Sequence, residues 1–342
     1  NLNGVDMASR DQANRILLPQ KISQAEAKVQ ALRATFKMNP SEYYRHDRVP
    51  KSKVAVNSEL EWEEKRLADL KAIRSTLEEN EEDRQSDPSI PRRGLVYMDD
   101  SKKDDRVKVA ISTGDVDRAK HVSTILPGMN NVPSEDINDH VKNAELVHKH
   151  AADNAHISQD QVATIAWMYD TPQGGQVVSS KYATKASHEI GSALEGMHAF
   201  RHTNGIERAH TSLLGHSYGS TTAGKVAKMV RKGVLDDLVM YGSPGAGAHD
   251  AREYNLDHGR PYVSGIKSDD AVKGKGTLNS KFGNNPMFMP GVKHLANNSE
   301  RDRSFFIPWK MFDRHSEYLE KGTSSLEDIS RVVTKVPVKG ER

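Results

Sequence analysis

The sequence predicts an α/β protein: a mostly parallel central sheet flanked by helices, preceded by an N-terminal helical hairpin. Three observations carry this. From Gly94 onward, short apolar and β-branched runs alternate with helical runs, the pattern of a parallel sheet covered on both sides. Glycine-rich turns stand at the C-terminal ends of several of those runs, where open α/β sheets bind ligands. Before Gly94, two polar stretches each carry one apolar stripe of helical period.

In the first stretch the stripe is Ile22, Ala25, Val29, Leu32 and Phe36. Pro40 and Pro50 punctuate the segment after it. Ser58 followed by Glu61 has the form of a capping box, which predicts a second helix start there. Its stripe is Leu67, Leu70, Ile73 and Leu77, and the two helices can pair as an antiparallel hairpin. Glu78 to Arg93 is charged, holds Pro88 and Pro91, and reads as a linker. The expected division is therefore a helical arm and linker over 1–93 and a second domain over 94–342.

Within 94–342 the expected strands are 107–111, 121–126, 162–168, 211–214, 238–241 and 261–266, with a further candidate at 303–307. Helices are expected over 134–151, 181–201 and 218–230, with a terminal helix beginning near Ser316. No internal repeat is visible.

Composition narrows the function classes. The 342 residues hold 49 Lys and Arg against 47 Asp and Glu, with no basic stripe and no interleaved aromatics, so nucleic acid is not an expected partner. No run of 18 apolar residues is present, so no transmembrane helix is expected. The absence of cysteine removes disulfides, thiolate zinc sites and a cysteine nucleophile. The chain starts at Asn1 without a signal-type apolar stretch, which points to a processed or excised part of something longer or exported and leaves its compartment open.

The chemistry centres on Gly215-His216-Ser217-Tyr218-Gly219. Gly-x-Ser-x-Gly between a strand and a helix is a nucleophile elbow, a turn so tight that side chains at the glycine positions collide with backbone. A serine needs an imidazole to take its proton and a carboxylate to orient that imidazole. In an α/β-hydrolase these come in the order serine, acid, histidine. After the expected strand ending at Ile266 comes Lys267-Ser268-Asp269-Asp270, so Asp270 is favoured as the acid and Asp269 is the alternative. Asp236 and Asp237 precede a strand and so stand at its wrong end. His315, where a last loop meets the last helix, is favoured as the base, with His294 as the alternative. The oxyanion needs preorganised N–H donors. Tyr218, directly after the serine, supplies one, and Met129 in Leu126-Pro127-Gly128-Met129-Asn130 supplies the other.

Five spaced segments together resemble a largely uncharacterised α/β-hydrolase family common in actinobacteria. They are Ile125-Leu126-Pro127-Gly128-Met129, Ile165-Ala166-Trp167-Met168-Tyr169-Asp170-Thr171-Pro172, the elbow from Gly215 to Ser220, Tyr241-Gly242-Ser243-Pro244-Gly245-Ala246-Gly247, and His315-Ser316-Glu317-Tyr318. Arg10-Asp11, Ala13, Asn14 and Arg15 also resemble that family's leading helical region. The resemblance spans nearly the whole chain. It implies the hydrolase fold, Ser217 as nucleophile, and Asp270 and His315 as its partners. One departure is Ala271, where the family pattern leads to a proline after the aspartate. The resemblance names no substrate.

The expected function is a serine hydrolase acting on a small-molecule or lipid carboxylic ester, with no cofactor or metal. His198 and His202 have a helical metal spacing but lack a zincin glutamate. Trp167, Met168 and Tyr169, at a strand end, and Met287 and Phe288, in the apolar Pro286–Pro290 segment, are candidate pocket residues. The competing reading is a binding or structural module on the same fold, whose helical arm serves a protein partner or self-association.

Overall fold

The computed structural model of the chain describes residues 4–37, 51–102, 104–174, 176, 179–265, 281–296 and 317–339. The described strands form one sheet in the order β1-β2-β4-β3-β5-β6-β7-β8. They are β1 (Arg93–Asp99), β2 (Lys108–Thr113), β3 (His121–Leu126), β4 (Val162–Met168), β5 (His210–His216), β6 (Asp237–Tyr241), β7 (Pro261–Ser264) and β8 (Lys293–His294). β1 pairs antiparallel with β2, and β2 antiparallel with β4. Every pairing from β4 to β8 is parallel.

The described helices are α1 (Met7–Lys37), α2 (Lys51–Ser86), α3 (Pro133–Ala155), α4 (Lys181–Thr203), α5 (Tyr218–Met229) and α6 (Ser324–Val333). Alternate strand residues face opposite sides, as a period of two dictates. In β6, Leu238 and Met240 join the core under α4 and α5, while Val239 and Tyr241 join the core under α3 and α6. Ile190, Leu194, Ala223 and Val226 close the first core; Ile137, Val141, Ala144, Leu326 and Ile329 close the second. Both faces of the parallel strands are thus apolar, which is why they read as continuous hydrophobic runs.

The N-terminal helices belong to the second core: Leu18, Ile22 and Ala25 of α1 and Leu70, Ile73 and Leu77 of α2 pack with Leu95 and Ile111. α1 also clasps the edge strand. Asp11 Oδ1 accepts from the Leu95 N–H at 2.6 Å, Asn14 Nδ2 donates to the Leu95 carbonyl at 2.8 Å, and Arg15 donates to the Arg93 carbonyl at 2.6 Å. These side chains take the place of a neighbouring strand on β1, which satisfies backbone groups that an open edge leaves unpaired. The start of α1 is fixed by Asp117, whose carboxylate accepts from the Met7 and Ala8 amides at 2.9 to 3.1 Å.

Several sequence expectations are corrected. Ser58 lies inside α2, because the helix is already formed from Lys51, so Ser58 and Glu61 are no start signal. The acidic segment read as linker is the last part of α2, leaving only residues 87–92 as connection. β1 and β8 are strands that the sequence reading lacks. The terminal helix starts at Ser324, capped by Thr323, and residues 317–319 form a single 3-10 turn. The candidate strand at 303–307 lies outside the described residues.

Candidate active site

β3 and β5 are neighbours, yet the chain leaving β3 enters α3 on one face and the chain leaving β5 enters α5 on the other. Such a reversal opens a crevice at the C-terminal edge of the sheet. Ser217 stands there, between the end of β5 and the first residue of α5.

Ser217 has φ +50° and ψ −124°, a backbone conformation that a residue with a side chain rarely adopts and that costs on the order of 1–3 kcal/mol. The surroundings impose it. Its N–H donates to the Tyr241 carbonyl at 2.9 Å, and its carbonyl accepts from the Ser220 N–H at 3.0 Å and from Ser220 Oγ at 2.5 Å. Ser220 Oγ is in turn 2.6 Å from Ser243 Oγ, which ties the elbow to the glycine-rich turn after β6. The two elbow glycines are required by close approach: a Cβ on Gly215 would lie 2.6 Å from the Gly219 carbonyl oxygen, and one on Gly219 would lie 2.5 Å from the Pro127 oxygen. Ser217 is 7% exposed, and its hydroxyl makes no hydrogen bond among the described residues.

The loop after β3 lies directly against Ser217. A Cβ on Gly128 would lie 3.0 Å from Ser217 Cβ, so a side chain there would push the loop and Ser217 apart by a few tenths of an ångström. Met129 comes next, half-buried, and its amide makes no hydrogen bond among the described residues. Tyr218, as the first residue of α5, has an N–H without an intrahelical acceptor. The loop is braced by the segment after β4. Tyr169 hydroxyl bridges the Pro127 carbonyl (3.3 Å) and Thr222 Oγ1 on α5 (3.0 Å). Thr171 Oγ1 donates to the Asn131 carbonyl at 2.8 Å, and the Asn130 amide donates to the Pro172 carbonyl at 3.0 Å. Asn130 itself has φ +59°, a turn conformation that asparagine tolerates better than most residues.

The Tyr218 ring points toward α4. Its hydroxyl donates to the Ser179 carbonyl at 2.7 Å and accepts from the Ala183 amide at 3.2 Å. Burial pushes that phenol up to about 12. Phe282 packs edge-on against the same ring, centroids 5.9 Å apart. On the other side, the His216 ring stacks on Tyr241 at 5.2 Å and borders a cavity of about 150 Å³ under the start of α3.

Of the other expected site residues, Asp269, Asp270 and His315 lie outside the described residues. His294 is on β8, at the sheet edge, with β6 and β7 between it and β5. Asp236 and Asp237 are at the opposite edge of the sheet from Ser217, where both bind His210. Trp167 and Met168 are core residues: Trp167 stacks on Tyr97 at 5.0 Å in one core, and Met168 is fully buried in the other. Met287 is half-buried against the α5-side core, whereas Phe288 is 80% exposed. Sequence reasoning gave no role to Ser220, Ser243 and Phe282, and read Tyr169 as a pocket residue where it braces the loop after β3. All but Phe282 lie in the spaced segments that carry the resemblance, which was the available signal.

A family model described as alpha/beta hydrolase matches residues 102–280, more than half of the chain. The chain belongs to the alpha/beta hydrolase family. An uncharacterized protein of Mycobacterium tuberculosis is 29% identical to this hydrolase over 242 residues, 68% of this chain and 84% of the relative. A second uncharacterized protein of Mycobacterium tuberculosis is 34% identical over 184 residues, 51% of this chain and 26% of the relative. Among solved structures, esterase B from Lactobacillus rhamnosis matches with TM-score 0.43 and 11% identity, over 79% of this chain and 96% of that one. No described helix of the hydrolase is long and apolar enough to cross a membrane.

Proposed function

We propose that this hydrolase is a serine hydrolase cleaving a carboxylic ester or related acyl substrate. The observation that carries the reading is the positive φ of Ser217, held in a glycine-flanked turn with Gly128 against its side chain. Such strain persists where the surroundings over-determine it, and it clusters at sites where one side chain must be presented. In this reading Ser217 Oγ attacks the acyl carbon, and His315 takes its proton and then delivers it to the leaving alcohol. Asp270 orients His315. The amides of Met129 and Tyr218 receive the oxyanion, a contribution of about 3–4 kcal/mol per donor to the barrier. Water then releases the acyl group by the same route in reverse. The reading calls for no cofactor.

The test is labelling by a fluorophosphonate probe together with hydrolysis of short p-nitrophenyl esters. Ser217→Ala is expected to abolish both. An unmodified protein that takes no label and turns over no ester overturns the reading.

A further inference from the structure

The cavity bordered by His216, the residue before Ser217, has a chemistry of its own. It is lined by Asp136, Asp139, His140 and Asn143 of α3, by Asn131 of the loop after β3, and by the His216–Tyr241 ring pair. Its volume of about 150 Å³ has room for a group of several non-hydrogen atoms. Polar groups supply a little over half of its lining, and apolar groups, Ile125, Pro127 and Leu319 among them, supply the rest.

Two lining side chains have no protein partner among the described residues: Asp139, which is exposed to water, and Asn143, which is half-buried. They sit one helical turn apart. The others are partly committed. His140 Nε2 is 3.1 Å from the Ile125 carbonyl, which makes that nitrogen a donor, and Asp136 Oδ2 accepts from the Val132 amide at 2.7 Å. Asn131 Nδ2 donates to the Met129 carbonyl at 2.8 Å. That last bond lies within the loop that passes against Ser217, so the loop itself forms part of the cavity wall.

We infer that this cavity is a binding subsite for a neutral, hydroxyl-rich part of the ester, such as a polyol or sugar moiety. Three features select that class. The lining offers acceptors in its carboxylates and both donors and acceptors in Asn143, which matches hydroxyl groups, each a donor and an acceptor at once. An ammonium group would be drawn by the carboxylates but would leave the Asn143 N–H donors without an acceptor. A carboxylate or phosphate would meet two acidic side chains, with no lysine or arginine among the described lining residues. An alkyl chain would leave the lining polar groups desolvated and unpaired, which disfavours it. The stacked imidazole and phenol rings offer the flat apolar surface that the C–H face of a sugar or polyol covers.

The inference rests on Ser217 as nucleophile, and its test has one arm that does not need turnover. In the first arm, glyceryl monobutyrate and butyl butyrate are compared by kcat/KM, since they share the acyl group and differ in hydroxyls. The unmodified protein is expected to prefer the glyceryl ester. Asp139→Ala and Asn143→Ala, both at helix positions that accept alanine, are each expected to shrink that preference about tenfold. A preference that is absent, or unmoved by both variants, overturns the subsite. In the second arm, saturation-transfer NMR tracks methyl glucoside and glycerol binding to the Ser217→Ala protein. Signal lost in the Asp139→Ala, Asn143→Ala double variant supports the subsite even if no ester is hydrolysed. No signal from either polyol, or signal equal in both proteins, rejects it, while labelling of Ser217 leaves the hydrolase reading standing.

Discussion

Ser217 is held in its strained turn by neighbours whose spacing leaves no slack. A methyl group on Gly219 would sit 2.5 Å from the Pro127 oxygen and 2.7 Å from the Leu126 oxygen, both backbone atoms that cannot swing aside. Relief requires the loop after β3 to move away from α5, and with it Gly128 and Met129. Gly219→Ala is therefore expected to lower the rate of fluorophosphonate labelling about a hundredfold, the scale of an ångström-sized misplacement. Labelling at the unmodified rate in a folded Gly219→Ala protein would show that the loop position is unimportant. Tyr169 acts on the same loop from behind. Removing its hydroxyl leaves the buried Pro127 carbonyl and Thr222 Oγ1 without that partner, a cost of about 1–3 kcal/mol. Tyr169→Phe is expected to lower the urea midpoint and to reduce kcat for a p-nitrophenyl ester with little change in KM. An equal fall in kcat and rise in KM would instead place Tyr169 in substrate binding.

At the scale of elements, the N-terminal helices are explained by the sheet edge they cover. β1 presents the Leu95 backbone outward, and α1 answers with one acceptor and one donor from Asp11 and Asn14, three residues apart on one helix face. Asp11→Ala leaves the buried Leu95 amide without an acceptor, and a loss of about 1–3 kcal/mol is expected from urea unfolding. Ile73→Ala, at a fully buried position in α2, is expected to cost about 2–5 kcal/mol. Midpoints unchanged in both would detach the arm from the folding unit. The apolar stripes of both helices were legible in the sequence because packing preserves helical period, and so were the parallel strands, whose two buried faces give continuous apolar runs. The ends were less legible. Ser58 and Glu61 copy a cap sequence in the middle of a helix, since local hydrogen bonding cannot outvote the buried Leu70 and Ile73 beyond it. β1 escaped notice because Leu95 to Met98 is a short apolar run that becomes a strand only by pairing with β2, and β8 is two residues long. At the site, the elbow was legible because its glycines are sterically forced. Trp167 and Met168 could not be separated from pocket residues in the sequence, because a strand end beside the crevice and a strand end inside the core have the same apolar composition.

Over the whole molecule, buried histidines weaken the fold in acid, while Asp170, pushed up to about 6 mainly by burial, works against them. Burial holds His148 at about 4, with both ring nitrogens lacking hydrogen-bond partners, and burial likewise holds His140 at about 4 despite its contact with the Ile125 carbonyl. His121 is lowered to about 4, by burial first and by the charge of His210 second. His210 goes the other way: burial alone would lower it, but Asp236 and Asp237 outweigh that and raise it. An unfolded histidine titrates near 6.5. For the lowered group, native and unfolded states are both neutral above that value, and below it the unfolded state binds the proton first. Stability therefore falls as pH drops from 6.5 toward 4. For His210 the raised value adds stability that is complete below 6.5 and lost as pH rises through its native value. His198 is also lowered, by partial burial first, so four lowered histidines stand against one raised and the histidine contribution to acidification is net destabilising. Between pH 7.5 and pH 5.0, His140 and His148 each account for a loss of about 2 kcal/mol. His148→Leu removes one titrating group while keeping an apolar side chain at that buried position. Its urea midpoint should consequently fall less than that of the unmodified protein between the two pH values, by the equivalent of about 2 kcal/mol. Parallel falls in the two proteins would mean that His148 is protonated in the native state and that the acid response comes from the carboxylates.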